Sequence, residues 1–187
     1  MTNRDRLLES TRVLLWERGY VGASPAAIQQ LAKVGQGSMY HHFEGKRGLA
    51  VEALTATAQD MQLRAEATLD RPGSALDRVV AYLRVEREAL RGCPVGRMAL
   101  DPDVVADDAL RRPVEEYFSW LAECLRQLLD EAHRAKQIAP HLVPEDVSVA
   151  VVATIQGGYV LARALQDPSV MSAALDGIIA LLTGGAG

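Results

Sequence analysis

Between Ser24 and Arg47 the chain sets two helix signatures around a three-residue gap, and no other stretch restricts its architecture as tightly. Ser24 offers a hydroxyl that can cap free backbone N–H groups, and Pro25 takes the first helical position, where its missing N–H costs nothing. Ile28, Leu31 and Ala32 then fall at i, i+3 and i+4 and form one apolar face. That face stops at Lys33-Val34-Gly35. After Gln36-Gly37 a second short run puts Met39 and Phe43 four apart on one side and leaves Ser38, Tyr40, His41 and His42 to the others. The spacing predicts a helix-turn-helix over about residues 25–44, with one side packed and the other open to a partner.

A helix that enters a DNA major groove needs donors, acceptors and aromatic edges along its outer face, and small residues at its leading end. Gln36, Gly37, Ser38, Tyr40 and His41 meet that description, and Lys46 and Arg47 follow where cations could hold phosphates. A solvated corner of a helical protein would satisfy the same spacing, so charge must help decide. The 187 residues carry a net charge of −4, which excludes coating nucleic acid through bulk electrostatics. The distribution is uneven: residues 1–48 hold seven basic and four acidic side chains, net +3, and residues 49–187 hold 13 basic and 20 acidic, net −7. The basic part contains the helix pair.

With 49% hydrophobic and 24% charged residues, the composition is that of a soluble globular protein with room for a large core. No cationic-then-apolar leader opens the chain, and Gln156, Arg163, Gln166 and Asp167 interrupt the apolar runs near its end. A cytoplasmic location without membrane association is expected. Cys93 and Cys124 read as two reduced thiols, with no Cys/His cluster at metal-binding spacing. His41 and His42 sit on the second helix of the pair, and His133 and His141 near a helix end and in a loop. No nucleophile elbow, phosphate-cradling glycine loop or metal-binding His/Glu helix appears, so neither an enzyme nor a cofactor is expected.

The remaining pattern is helical throughout. Leu7, Leu8, Thr11, Leu14 and Leu15 predict a first helix that stops at Gly19. Leu49 to Leu69 continue in helical register until Arg71-Pro72-Gly73. Amphipathic runs predict helices over Ser74–Arg91 and Pro113–Ala135, separated by a Gly/Pro-punctuated break and a short helix near Met98–Leu100. A final pair spans about Pro144–Gln166 and Pro168–Thr183, with Gly157 and Gly158 allowing close helix approach. These last two are more apolar all round than surface helices of a monomer should be. The expected fold is all-α, about nine helices, with no strand.

The ordered series Ile28, Ala32, Val34, Gly37, Ser38, Tyr40, His42, Phe43, Lys46 and Leu49 resembles the DNA-binding segment of the TetR family of bacterial transcriptional regulators. The resemblance implies that Ser24 caps the second helix and touches a phosphate. It implies also that Gln36, Gly37, Ser38 and His41 approach bases, and that Tyr40 and Lys46 hold the DNA backbone. Many members have glycine where this chain has Lys33, in a turn where left-handed backbone is needed; Lys33 could add a phosphate contact there. The implied plan is a helix-turn-helix head over residues 1–48 and a ligand-binding and dimerisation body over 49–187. A homodimer made through the last two helices would read a pseudo-palindromic double-stranded operator, and a small-molecule effector in the body would release a repressor from it.

Residues that are polar or aromatic on otherwise apolar helices are candidates to line the effector cavity: Tyr82, Met98, Tyr117, Trp120, Cys124, Gln156, Tyr159 and Arg163. Core or interface packing competes at each of them. Gly92-Cys93-Pro94-Val95-Gly96 with Met98-Ala99-Leu100 resembles a stretch in the branch typified by LmrA and YxaF, where Arg97 replaces a common asparagine. Arg97 could pair with an anionic ligand or with a neighbouring acid. Cys93 reads as a buried small hydrophobe, with a thiol sensor activated by Arg91 or Arg97 as the alternative.

Overall fold

The helix starts expected from Ser24 and Ser74 are made by those hydroxyls. The computed structural model describes residues 1–184, at Gln36 the backbone alone. Its elements are α1 (Asn3–Gly22), α2 (Pro25–Ala32), α3 (Gln36–His42), α4 (Gly45–Leu69), α5 (Ala75–Leu83), a 3-10 turn (Met98–Leu100), α6 (Pro102–Ala106), α7 (Asp108–Arg134), α8 (Pro144–Leu165) and α9 (Ser169–Thr183). The described residues contain nine α-helices and no strand. Ser24 Oγ accepts the Ala27 N–H at 3.2 Å and Ser74 Oγ the Asp77 N–H at 3.2 Å. The chain divides into two compact units: Met1–Asp60 with Cys93–Tyr117, and Met61–Gly92 with the chain from Phe118 onward.

In the first unit α1 packs on α2 and α3, which pack on each other. Leu7, Ile28, Met39 and Leu49 are fully enclosed in its core, together with Leu14, Leu15 and Leu54. Each such side chain contributes about 1.5–3 kcal/mol by leaving water, so this buried set fixes α3 against its two neighbours. The stop foreseen at Gly19 is a break in α1: Gly19 has φ 75° and ψ 179°, and helical hydrogen bonding resumes only briefly beyond it.

Two helix boundaries differ from the sequence expectation, each for a tertiary reason. The helix expected over Ser74–Arg91 ends at Leu83. Arg87 folds back over the Tyr82 ring and donates to the carbonyls of Leu83 at 2.8 Å, Val85 at 2.6 Å and Tyr82 at 2.8 Å, satisfying the last acceptors of α5. Val85 and Leu90, which continued the apolar register, are exposed. The helix expected from Pro113 starts at Asp108 instead. Asp107 Oδ1 accepts the N–H groups of Ala109 and Leu110 at 2.9 and 3.3 Å, and this cap starts α7 early enough to place Pro113 inside it.

In the second unit α8 packs on α9 and α9 on α5. Val151, Ile155, Gly158 and Ala162 form the buried side of α8 opposite Met171, Leu175, Ile179 and Leu182 of α9. On the other side of α8, Val149, Ala153, Val160 and Leu161 are exposed, as is Leu181 of α9. A Cβ placed on Gly157 would find nothing within 4 Å, whereas one on Gly158 would meet Met171 Sδ at 2.4 Å. Of the adjacent glycines, Gly158 thus abuts α9 and Gly157 does not.

Candidate nucleic-acid interface and effector residues

The second helix of the pair is short enough that its core contacts dictate its outward face. Met39 is fully buried and Phe43 nearly so, as their spacing required. Gly37, Tyr40 and His41 are then turned to solvent, Tyr40 with 62% of its surface exposed. No atom lies within 4 Å of a Cβ built on Gly37, which leaves the backbone at the start of α3 open to close approach. The His41 ring lies edge-on to His42, centroids 4.8 Å apart. Ser38 is half-buried, and Ser24 is half-buried with its hydroxyl engaged in the α2 cap. The side chain of Gln36 lies outside the described residues.

The turn before α3 is closed by Lys33 in the left-handed region, at φ 54° and ψ 48°. Its N–H returns to the Gln30 carbonyl at 3.3 Å, and the Val34 N–H to Gln29 at 3.1 Å, consuming the last acceptors of α2. Lys33 thus adopts the conformation that glycine supplies elsewhere, at a cost of about 1 kcal/mol, and its side chain is exposed. Lys33→Gly is accordingly expected to raise stability by up to about 1 kcal/mol, measured by urea unfolding, the added freedom of the unfolded chain taking back part of the gain. The same variant should lower the salt slope of DNA binding by about one if the ammonium neutralises a phosphate.

The two cations after α3 are placed differently from each other. Lys46 Nζ stands 4.0 Å from the centre of the Tyr20 ring, half-buried, and this burial lowers its pKa. Arg47 donates from Nε and Nη2 to the two carboxylate oxygens of Asp107 at 2.6 and 2.8 Å. The guanidinium holds the Asp107 carboxyl down to about 2, and the carboxylate pushes the Arg47 pKa up. Arg4 stacks over Phe43 at 5.1 Å and pairs with Glu52, and Arg12 pairs with Asp60. Two of the head's seven cations are therefore paired with carboxylates of α4 and a third with Asp107. The sequence reading missed Asp107 and Asp101, whose carboxylate accepts the Tyr20 N–H at 2.8 Å. Asp-Pro at 101–102 and Asp-Asp at 107–108 were legible as caps, but their long-range partners were not.

Of the effector candidates, Trp120 and Cys124 come together in the second unit, in a cleft of about 200 Å³ whose walls include Leu69, Leu128, Glu66 and Arg78. Burial pushes the Cys124 thiol up, helped by Asp70 and Glu66, which keeps it protonated. Tyr82 is buried under Arg87, Gln156 and Tyr159 are half-buried on α8, and Arg163 is exposed, its guanidinium 3.4 Å from the Arg91 carbonyl oxygen. Met98 and Tyr117 are buried in the first unit. Cys93 is buried too, its sulfur accepting the Gly96 N–H at 3.2 Å. Among the described residues no group of His, Cys, Asp and Glu has the arrangement of a metal site.

Comparison with known proteins agrees with this geometry. Residues 7–53 match the family described as bacterial regulatory proteins, tetR family, and residues 68–178 match the tetracyclin repressor-like C-terminal domain. The HTH-type transcriptional repressor DhaR of Mycobacterium sp. (strain GP1) is 26% identical over 157 residues, 82% of this chain and 79% of that protein. The HTH-type transcriptional regulator YxaF of Bacillus subtilis (strain 168) is 21% identical over 172 residues, 88% of this chain and 87% of its own, as the Gly92–Leu100 stretch led one to expect. A TetR transcriptional regulator from Chloroflexus aurantiacus J-10-FL superposes with a TM-score of 0.83 at 25% identity, covering 95% of this chain and 92% of the other. A basic head with an exposed α3, an all-helical body and both halves of the family signature establish that this chain belongs to the TetR family of DNA-binding transcriptional regulators.

Proposed function

We propose that the chain is a homodimeric repressor that binds a pseudo-palindromic operator through α3 of each protomer and leaves it when a small molecule occupies the body. The observation that carries the DNA half is the division of α3: Met39 is sunk in the core while Gly37, Tyr40 and His41 face outward. In this reading Gln36, Gly37, Ser38 and His41 read bases, and Ser24, Lys33, Tyr40 and Lys46 hold phosphates. The head spans residues 1–48 and the body residues 49–187.

The exposed apolar side of α8 supports the dimer. By length and a mean hydropathy of 1.4 over 18 residues, α8 would suffice to cross a membrane. A buried side packed on α9 and an outer side packed on a second α8 account for the same apolarity in a soluble protein. A two-fold dimer would present two copies of α3 to the two half-sites of such an operator. The name of DhaR supports repression over activation. The cleft beside Trp120 and Cys124 offers the effector reading open volume in the body, with Tyr82, Met98, Tyr117, Gln156, Tyr159 and Arg163 as the further candidates. A cytoplasmic location follows from the DNA target.

Binding to a fragment of the chain's own promoter region tests this reading. Tyr40→Ala is expected to weaken binding about tenfold while leaving the melting temperature unchanged, because an exposed side chain contributes little to folding. Wild-type and Tyr40→Ala proteins that both fail to shift any promoter fragment would overturn the assignment.

A further inference from the structure

Beyond its pairs with α4, the head makes polar contacts outside residues 1–48 to two carboxylates that bracket α6. Asp101 precedes α6; its Oδ1 accepts the Asp103 N–H at 3.1 Å and so caps that helix. Its Oδ2 accepts the Tyr20 N–H at 2.8 Å, an amide that the non-helical Gly19 has taken out of the α1 ladder. Asp107 follows α6; its Oδ1 caps α7 through Ala109 and Leu110 and also takes Arg47 Nη2, while its Oδ2 takes Arg47 Nε. Each carboxylate thus starts a helix and holds a piece of the head.

The pieces held are the two that frame the recognition helix. Tyr20 lies in the last turn of α1, the helix against which α3 packs, and Arg47 lies in the first turn of α4, four residues beyond Phe43. Lys46, standing on the Tyr20 ring, ties the two pieces to each other. We infer that Asp101 and Asp107 are positioning residues for DNA binding, fixing the direction of α3 by holding Tyr20 and Arg47. The inference rests on the DNA-binding reading of α3.

Electrostatic magnitude favours positioning over stabilisation. Arg47 keeps 59% of its side chain exposed, and an ion pair so open to solvent adds little to folding. What a two-point guanidinium–carboxylate fork adds is orientation, since both N–H···O bonds hold only at one relative angle. The same fork removes Arg47 from the pool of phosphate contacts. The pair stays charged across the physiological range, because the Asp107 carboxyl is held at about 2.

The experiment uses the full chain with Asp107→Asn, Arg47→Gln, Arg47→Lys and the Asp107→Asn/Arg47→Gln double variant. Asparagine keeps a carbonyl oxygen for the Ala109 and Leu110 N–H groups, so the α7 cap survives while the fork is lost. Affinity for the promoter fragment is read over a salt series. Asp107→Asn and Arg47→Gln are each expected to weaken binding about tenfold, and the double variant no further, with the salt slope and melting temperature as in the wild type. Arg47→Lys should recover only part of the loss, a point charge having no fork.

Additive losses, or no loss in either single variant, would overturn the inference. So would tighter binding by Asp107→Asn with a salt slope steeper by about one, which would mark Arg47 as a phosphate ligand withheld by Asp107. A DNA-free arm follows hydrogen exchange at the Tyr20 amide. Asp101→Ala should speed it about tenfold and Asp101→Asn should not, and equal rates in all three proteins would remove Asp101 from the proposal. If the wild type binds no DNA, the function assignment fails, while exchange at Tyr20 still decides whether Asp101 holds the head.

Discussion

Gly157→Glu is expected to give a folded monomer that has lost operator binding. The position is on the outer side of α8, where Val149, Ala153, Val160 and Leu161 lie exposed and a new Cβ meets nothing within 4 Å. Within one protomer the substitution should be harmless, and replacing a mid-helix glycine contributes up to about 1 kcal/mol in helix propensity. In a dimer packed through this side the same carboxylate would have to leave water without a partner, a penalty large enough to prevent association at working concentrations. Sedimentation at micromolar concentration should find the wild type dimeric and the variant monomeric, with unchanged helical circular dichroism. Affinity for a two-half-site fragment should fall at least about 100-fold, because a single head keeps only half the contacts. A Gly157→Glu protein that is folded and still dimeric would move the interface off α8. Gly158 is the internal contrast: its missing Cβ makes room for Met171, so the same change one residue along attacks the fold instead of the interface.

The sequence was most informative where short-range rules act alone. Ser24-Pro25 begins α2, Gly19 breaks α1, and the four-residue spacing of Met39 and Phe43 sets which side of α3 is covered, because each outcome depends on residues within a turn or two. Boundaries decided by folding back were lost. The apolar register of Val85 and Leu90 pointed to a longer α5, and only the Arg87 guanidinium returning to the Tyr82 and Leu83 carbonyls ends it. Lys33 illustrates a different limit: the turn is left-handed although the residue is not glycine, since the capping hydrogen bonds around it exceed its strain. Effector residues were least legible. Tyr82, Met98 and Tyr117 are buried, as core residues and cavity walls both would be, and hydrophobic pattern cannot separate those roles. The partners of Asp101 and Asp107 lie 81 and 60 residues away, and no local rule connects them.

Gly19→Ala is expected to destabilise the protein by about 3 kcal/mol. At φ 75° and ψ 179° the backbone occupies a region that residues with a Cβ adopt only at a cost of about 1–3 kcal/mol. The site is also occupied from the other side: a Cβ there would stand 3.1 Å from Asp101 Oδ2, the atom that accepts the Tyr20 N–H. Relief by moving Asp101 would break that hydrogen bond, worth about 1 kcal/mol, and disturb the α6 cap; relief by straightening α1 would carry Tyr20 away from Lys46. Either route adds to the backbone strain, since Gly19 is buried and neither group can simply turn to solvent. Urea unfolding followed by circular dichroism should show the midpoint falling at constant slope, and promoter affinity measured well below the midpoint should fall as well. A loss below about 1 kcal/mol would mean that α1 re-forms a continuous helix through residue 19, and that the Tyr20–Asp101 contact is not what determines the end of the head's first helix.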